Sequence, residues 1–212
     1  MRLFGGRRGP DRCPSAQGSE YLLFYKRLFD APQLAQFVGR TPRLLEAHDE
    51  ARVEFSRKDA SITLPRTLNV DGPGNFKLRI SCRRSDWQIS SLAQVCAAFP
   101  QALVRKVEHL YILGNDPSQR VWQVEIENRQ WLELLDPFTA VKGLYISSEL
   151  APDIVSALHE LSGERVTVVL PALQTLFLEE PLKSGSVQEA IGQFVAARHL
   201  AQSSFSHFSP LL

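Results

Sequence analysis

The fold class that the sequence predicts is an α/β solenoid of about four strand–helix units, and two observations predict it. A short strand motif, L-x-x-L-x-L, recurs at near-constant spacing, and the segments between its copies share one helical apolar stripe. The motif is plainest in LPALQTLFLEE, where Leu173, Leu176 and Leu178 fill its three positions. Val141, Leu144 and Ile146 fill them in VKGLYIS, and Val107, Leu110 and Ile112 in VEHLYIL. In NFKLRIS the first position is Asn75, followed by Leu78 and Ile80. The four first positions lie 32, 34 and 32 residues apart. A unit of this size cannot bury its apolar face alone, so stacking of neighbours supplies the core. The rival reading of the same β-α order is a flat doubly wound sheet. Its strands read as unbroken apolar runs and need no motif in register, so the solenoid is preferred.

The elements follow in order. Residues 1–20 are rich in Gly, Pro, Arg and Ser, which predicts a disordered lead. The stretch has basic residues but no apolar core, so it does not read as a secretory signal. Residues 21–74 are expected to form an irregular N-terminal helix/strand cap. Asp30 and Gln33 have capping-box spacing ahead of Leu34, Phe37 and Val38. ARVEFS (51–56) and ASITLP (60–65) alternate as strands do, and DGPGN (71–75) reads as a turn. Residues 75–200 hold the repeats. Their helices are marked by Leu92, Val95, Cys96 and Phe99, by Trp131, Leu134, Leu135 and Phe138, by Ile154, Leu158 and Leu161, and by Val187, Ile191, Phe194 and Val195. Ser186 and Glu189 form a capping box for the last helix. Residues 201–212 read as a tail, with no fifth strand visible.

Stacked in register, the units would set Leu78, Leu110, Leu144 and Leu176 in one interior column. Ile80, Ile112, Ile146 and Leu178 would form the next. Each fully buried side chain would contribute about 1.5–3 kcal/mol. Alternation then turns Arg79, Tyr111, Tyr145 and Phe177 outward, side by side on the concave face. The flanking columns would be Lys77, His109, Gly143 and Thr175 on one side, and Ser81, Leu113, Ser147 and Glu179 on the other. Aromatic residues and arginine in a mixed polar surround have the composition of a binding hot spot. The candidate protein-binding residues are therefore Arg79, Tyr111, Tyr145, Phe177, Lys77, His109 and Glu179. The plainer account of the aromatics is strand propensity, or a face covered by the N-terminal unit.

Catalytic chemistry finds little in the sequence. The histidines His48, His109, His159, His199 and His207 share no metal-ligand spacing with one another or with a cysteine. A His109–Cys82 pair would need the fold to bring the two together. Nucleophile-elbow, HExxH, Walker and GxGxxG patterns do not occur. Glu46, Asp49 and Glu50 read as a solvated acidic run, and Trp87, Trp122 and Trp131 as packing residues. No cofactor or metal is expected. A formal net charge of +1 gives no field favouring nucleic acid or an anionic membrane. No apolar run approaches the length of a membrane span. Three cysteines, Cys13, Cys82 and Cys96, without a CxxC, favour a reducing interior, cytoplasmic or nuclear.

WLELLDPFTAVKGLYIS, ELAPDIVSALHEL, VLPALQTLFLEE and VQEAIGQFVAARHL resemble the C-terminal repeat region of mushroom-type fungal F-box/leucine-rich-repeat-like proteins. LFDAPQLAQFVGRTPRL and HDEARVEFS extend the resemblance over about residues 21–200. It implies a leucine-rich-repeat-like solenoid that binds the substrate of a cullin-type ubiquitin ligase, while an F-box binds the ligase adaptor. The first twenty residues hold none of the Leu-Pro and Ile-Phe-like features of an F-box, so adaptor binding is not expected of this chain. The repeat consensus also asks for Asn or Cys eight positions after the first leucine. Asn115 meets it; Arg83, Glu149 and Pro181 stand at the other three positions. The function expected is non-enzymatic protein–protein recognition. The alternatives are a free-standing or truncated repeat scaffold without a ligase role, or a small α/β enzyme with an unrecognised site.

Overall fold

A computed structural model of the chain describes residues 20–25, 36, 40, 48–65, 75–114, 126–161, 167–179 and 185–205. Its strands are β1 (Glu20–Tyr25), β2 (Glu50–Phe55), β3 (Asp59–Leu64), β4 (Phe76–Ser81), β5 (His109–Gly114), β6 (Gly143–Ile146) and β7 (Thr175–Leu178). Its helices are α1 (Ser85–Ala98), the single turn α2 (Gln101–Val104), α3 (Asn128–Leu135), α4 (Ala151–His159) and α5 (Gly185–Phe205). The strands form one sheet in the order β1-β4-β3-β2-β5-β6-β7.

Local chemistry explains several boundaries. Phe99 ends α1 in an extended conformation because Pro100 follows and disfavours helical geometry before it. Asp86 in the first turn of α1 faces the helix's positive end and also pairs with Arg84 at 2.7 Å. Pro152 is tolerated in the first turn of α4, where no backbone N–H is required of it. β2 and β3 are joined through Ser56, whose amide donates to Asp59 O at 2.8 Å and whose Oγ accepts from the Asp59 amide at 3.2 Å.

From β5 onward the strands pair in the register that the sequence motif predicts. β5, β6 and β7 run parallel and pair Leu110 with Leu144 and Leu176, Tyr111 with Tyr145 and Phe177, and Ile112 with Ile146 and Leu178. The helices pack beside one another in chain order, α1 on α3, α3 on α4 and α4 on α5. The core lies between this helix layer and one sheet face. Leu110, Ile112, Leu144 and Ile146 are buried there with Trp131, Leu134, Leu135, Phe138, Ile154 and Leu158. Phe55 of β2 meets Trp131 edge-on at 5.6 Å, and Phe76 of β4 meets Phe99 in the same way at 5.8 Å.

Upstream of β5 the sheet departs from the expected stack. The β2–β3 hairpin is not a cap at the end of the array. It is inserted between β4 and β5, antiparallel to β4 through β3 and parallel to β5 through β2. Leu78 therefore pairs with Ile62, Ile62 with Val53, and Val53 with Ile112, so Leu78 and Leu110 belong to different rows. Two extra strands absorb both the spacing and the register of the first unit. β1 lies beyond β4 and includes Glu20, the last residue assigned to the lead. The last helix runs to Phe205, five residues into the expected tail. Asp30, Gln33, Leu34, Phe37, Val38 and residues 71–74 of the DGPGN turn lie outside the described residues, as do residues 1–19 and 206–212.

Candidate functional site

The sheet face turned away from the helices carries every second strand residue. Across it runs one row: Lys77 of β4, Thr63 of β3, Arg52 of β2, Tyr111 of β5, Tyr145 of β6 and Phe177 of β7. The three aromatic rings are stacked. Tyr111 and Tyr145 lie 4.2 Å apart with their planes at 10°, and Tyr145 and Phe177 lie 4.4 Å apart at 7°. The Arg52 guanidinium sits 5.0 Å from the Tyr111 centroid, so a cation closes one end of the stack. At the other end Phe177 is 43% exposed. Burial first, then the nearby Glu50 carboxylate and Tyr145, push the Tyr111 phenol above its ordinary value, and Arg52 opposes them weakly.

Tyr111, Tyr145 and Phe177 thus stand together as expected, but Arg79 does not stand beside them. It lies three strands away in another row, opposite Ser61, and pairs loosely with Asp59 at 3.9 Å. Arg52 takes its place on the tyrosine. Lys77 is shifted into the aromatic row itself, rather than the flanking one, and its Nζ approaches Glu54 at 3.4 Å. The cause of both corrections is the inserted hairpin.

His109 does lie in the flanking row, between Glu50 and Gly143, with Thr175 beyond. Its ring is tilted against Tyr145 at 6.1 Å. A Cβ on Gly143 would come within 2.9 Å of His109 Nδ1 and 3.2 Å of Tyr145 Cε2, so glycine leaves the space these two rings occupy. Nδ1 of His109 is buried without a hydrogen-bond partner. Glu179 follows β7, exposed, and its amide donates to Ile146 O at 3.1 Å. Glu50 and Arg52 form an ion pair, so this part of the acidic run belongs to the sheet face.

The other candidates separate. Cys82 follows the carboxyl end of β4 and His109 opens β5; these two strands point the same way, so the residues lie at opposite ends of the sheet. Trp131 is fully buried, whereas Trp87 is half-buried beneath the Arg84 guanidinium at 4.4 Å. Trp122 lies outside the described residues. On the helix side an open groove of 920 Å³ is lined by residues that include Ala93, Leu132, Glu133, Asp136 and Glu160, but neither His109 nor Cys82. Among the described residues no three His, Cys, Asp or Glu side chains are placed to hold one metal ion. No helix among them is long and apolar enough to cross a membrane.

Two functional or structural side chains escaped the sequence reading. Arg52 carried a partial signal: its place in ARVEFS marks it as outward-facing, but not which strand lies next to it. Arg198 carried none. It lies on the last helix, is buried, and donates to the carbonyls of Leu170 and Pro171 at 3.0 Å, Leu173 at 3.3 Å and Val169 at 3.4 Å. No family model, curated protein or solved structure matches the chain.

Proposed function

We propose that the chain is a non-enzymatic protein–protein recognition module, built as a leucine-rich-repeat-like solenoid in its β5–β7 part, that docks a protein or peptide on the aromatic face of its sheet. The observation that carries this reading is the continuous stack Arg52–Tyr111–Tyr145–Phe177 on the sheet face opposite α1, α3 and α4. Aromatic side chains offer a large, rigid contact area at low entropic cost, and arginine at the rim adds directional hydrogen bonding. The charged residues further along the face pair among themselves as Arg52–Glu50, Lys77–Glu54 and Arg79–Asp59. They favour a partner that meets the aromatic end rather than a highly charged one. The resemblance to F-box/leucine-rich-repeat-like repeats makes the proposed role substrate recognition for a ubiquitin ligase. Three cysteines without a CxxC favour a reducing compartment, cytoplasm or nucleus.

The test is affinity capture from source cells with the wild-type chain and with Tyr111→Ala/Tyr145→Ala, after circular dichroism has established that both fold. A partner captured by the wild type and lost by the variant is the expected result. Co-captured ligase subunits would assign the receptor role, and their absence a scaffold. Identical partners on both baits would refute recognition by this face.

A further inference from the structure

Three features of the fold end open at the same strand. Among the described residues β7 is the outermost strand of its side of the sheet. Its backbone is paired on one side: the amides of Thr175 and Glu179 donate to Lys142 O at 2.9 Å and to Ile146 O at 3.1 Å. Parallel pairing alternates, so the N–H and C=O groups of Leu176 and Leu178 point away from β6. The interior columns also stop short. Leu110, Leu144, Ile112 and Ile146 are all buried, while Leu176 and Leu178 at the ends of the same columns are half-exposed. The aromatic stack ends on the exposed ring of Phe177. Thr-Leu-Phe-Leu carries neither charge nor proline, the usual devices that protect an edge strand.

We propose that β7 is a strand-acceptor edge, occupied by an extended segment of a partner protein with the pattern aliphatic–aromatic–aliphatic–basic. The interface between β5, β6 and β7 dictates this pattern. Each strand contributes one triplet in register: Leu110-Tyr111-Ile112, Leu144-Tyr145-Ile146 and Leu176-Phe177-Leu178. A further parallel strand with the same triplet stacks its aromatic ring on Phe177 and covers Leu176 and Leu178. The residue two places after the aromatic then stands beside Glu179, whose exposed carboxylate selects lysine or arginine. Main-chain bonds supply affinity and alternate side chains supply selectivity, as in other strand additions. The inference builds on the reading of the chain as a recognition module, but it uses the sheet edge where that reading uses the face.

The probe is a fluorescent peptide of residues 141–150 of this chain carrying Ser147→Lys, titrated into the intact protein and read by anisotropy. Saturable binding is expected, weakened by about tenfold in the Phe177→Ala protein, the scale of one lost aromatic pair. N-methylation separates the two edges of the peptide without touching the protein's fold. Methylating the amide at the Tyr145 position, which faces Leu176 O, costs about tenfold, whereas methylating the outward amide at the Ile146 position changes affinity by less than about threefold. Absence of binding, or equal tolerance of both methylations, overturns the proposal. So does a chain that sediments as a dimer and becomes a monomer on Phe177→Arg, because a second copy then occupies the edge. Arg129→Ala, on the exposed side of α3, should leave peptide affinity unchanged. If the peptide fails while a cellular partner is still lost with Tyr111→Ala/Tyr145→Ala, the edge proposal falls and the face reading stands.

Discussion

Arg198 holds its loop in place by donating to four carbonyls that have no strand to pair with. Those carbonyls belong to residues 169–173, where Leu170 adopts a φ of 50°. A left-handed leucine costs about 1–2 kcal/mol, but Leu170 is fully buried, and burial of its side chain offsets that strain. The guanidinium is itself desolvated, and burial pulls its pKa below the usual value. Replacing it by methionine keeps the packing against Phe194 but removes the guanidinium donor from all four carbonyls, of which Leu170 O alone keeps the Leu173 amide, at 3.0 Å. Arg198→Met is expected to lower unfolding free energy by about 2–3 kcal/mol in urea titrations. Cys96 poses the opposite case. Its thiol is buried in the α1 stripe, and desolvation pushes its pKa from 9.0 up to about 12. The folded state therefore holds a proton that the unfolded state releases first. The stabilisation is present in full below pH 9 and is lost as pH rises towards 12. Tyr111, also raised, adds to the alkaline decline. Denaturation midpoints measured between pH 8 and 11 should fall, and fall less steeply in Cys96→Ala. At pH 8 a thiol reagent should leave Cys96 unmodified until the chain unfolds.

At the scale of elements, Gly143 shows what the strand register demands. It faces His109 across β5 and β6, and any side chain there collides with the imidazole or with the edge of Tyr145. Gly143→Ala is expected to destabilise by about 1–2 kcal/mol through overpacking. If the imidazole is the obstacle, His109→Ala should recover most of that loss. A double-mutant cycle reads the coupling directly, and additivity would show that the strand backbone, not the ring, resists the substitution. The same strands show which features could be read from sequence. Inward and outward positions of β5, β6 and β7 were legible because a strand's period of two is local, written in Leu-Tyr-Ile and Leu-Phe-Leu themselves. The order of strands was not. Whether the hairpin of residues 50–64 caps the sheet or enters it depends on contacts far apart in sequence, and no local pattern specifies that choice. Arg79 and Arg52 are both outward-facing arginines on alternating strands. Only the sheet order decides that Arg52 meets Tyr111. The last helix had a readable stripe, yet Val195 is 41% exposed, because a stripe predicts a packing face only where a neighbouring element covers it.

For the molecule as a whole, the sheet sets up an internal comparison of stability. His109, Gly143 and Thr175 occupy equivalent positions at the starts of three parallel strands. Their amides donate to Asp49 O at 2.9 Å, Glu108 O at 3.0 Å and Lys142 O at 2.9 Å. Hydrogen-bond geometry is thus matched, and what differs is the burial of the columns around each bond. Behind β5 and β6 the aliphatic side chains are sealed between the sheet and α1, α3 and α4, so exposing these amides requires opening the core. Behind β7 the columns end half-covered, and local fraying suffices. Native-state hydrogen exchange, corrected for intrinsic rates, should protect His109 and Gly143 at least about tenfold more than Thr175. Ser147 and Glu179 form a second matched pair, with bonds of 3.0 and 3.1 Å to Ile112 O and Ile146 O, and should show the same order. Equal protection across the three strands would mean that the β7 end is closed to solvent as well as the middle, which the exposure of Phe177 argues against. A bound strand at the β7 edge completes the two columns and the stack. It should therefore raise protection of Thr175 and Glu179 towards that of Gly143 and Ser147 while leaving His109 unchanged.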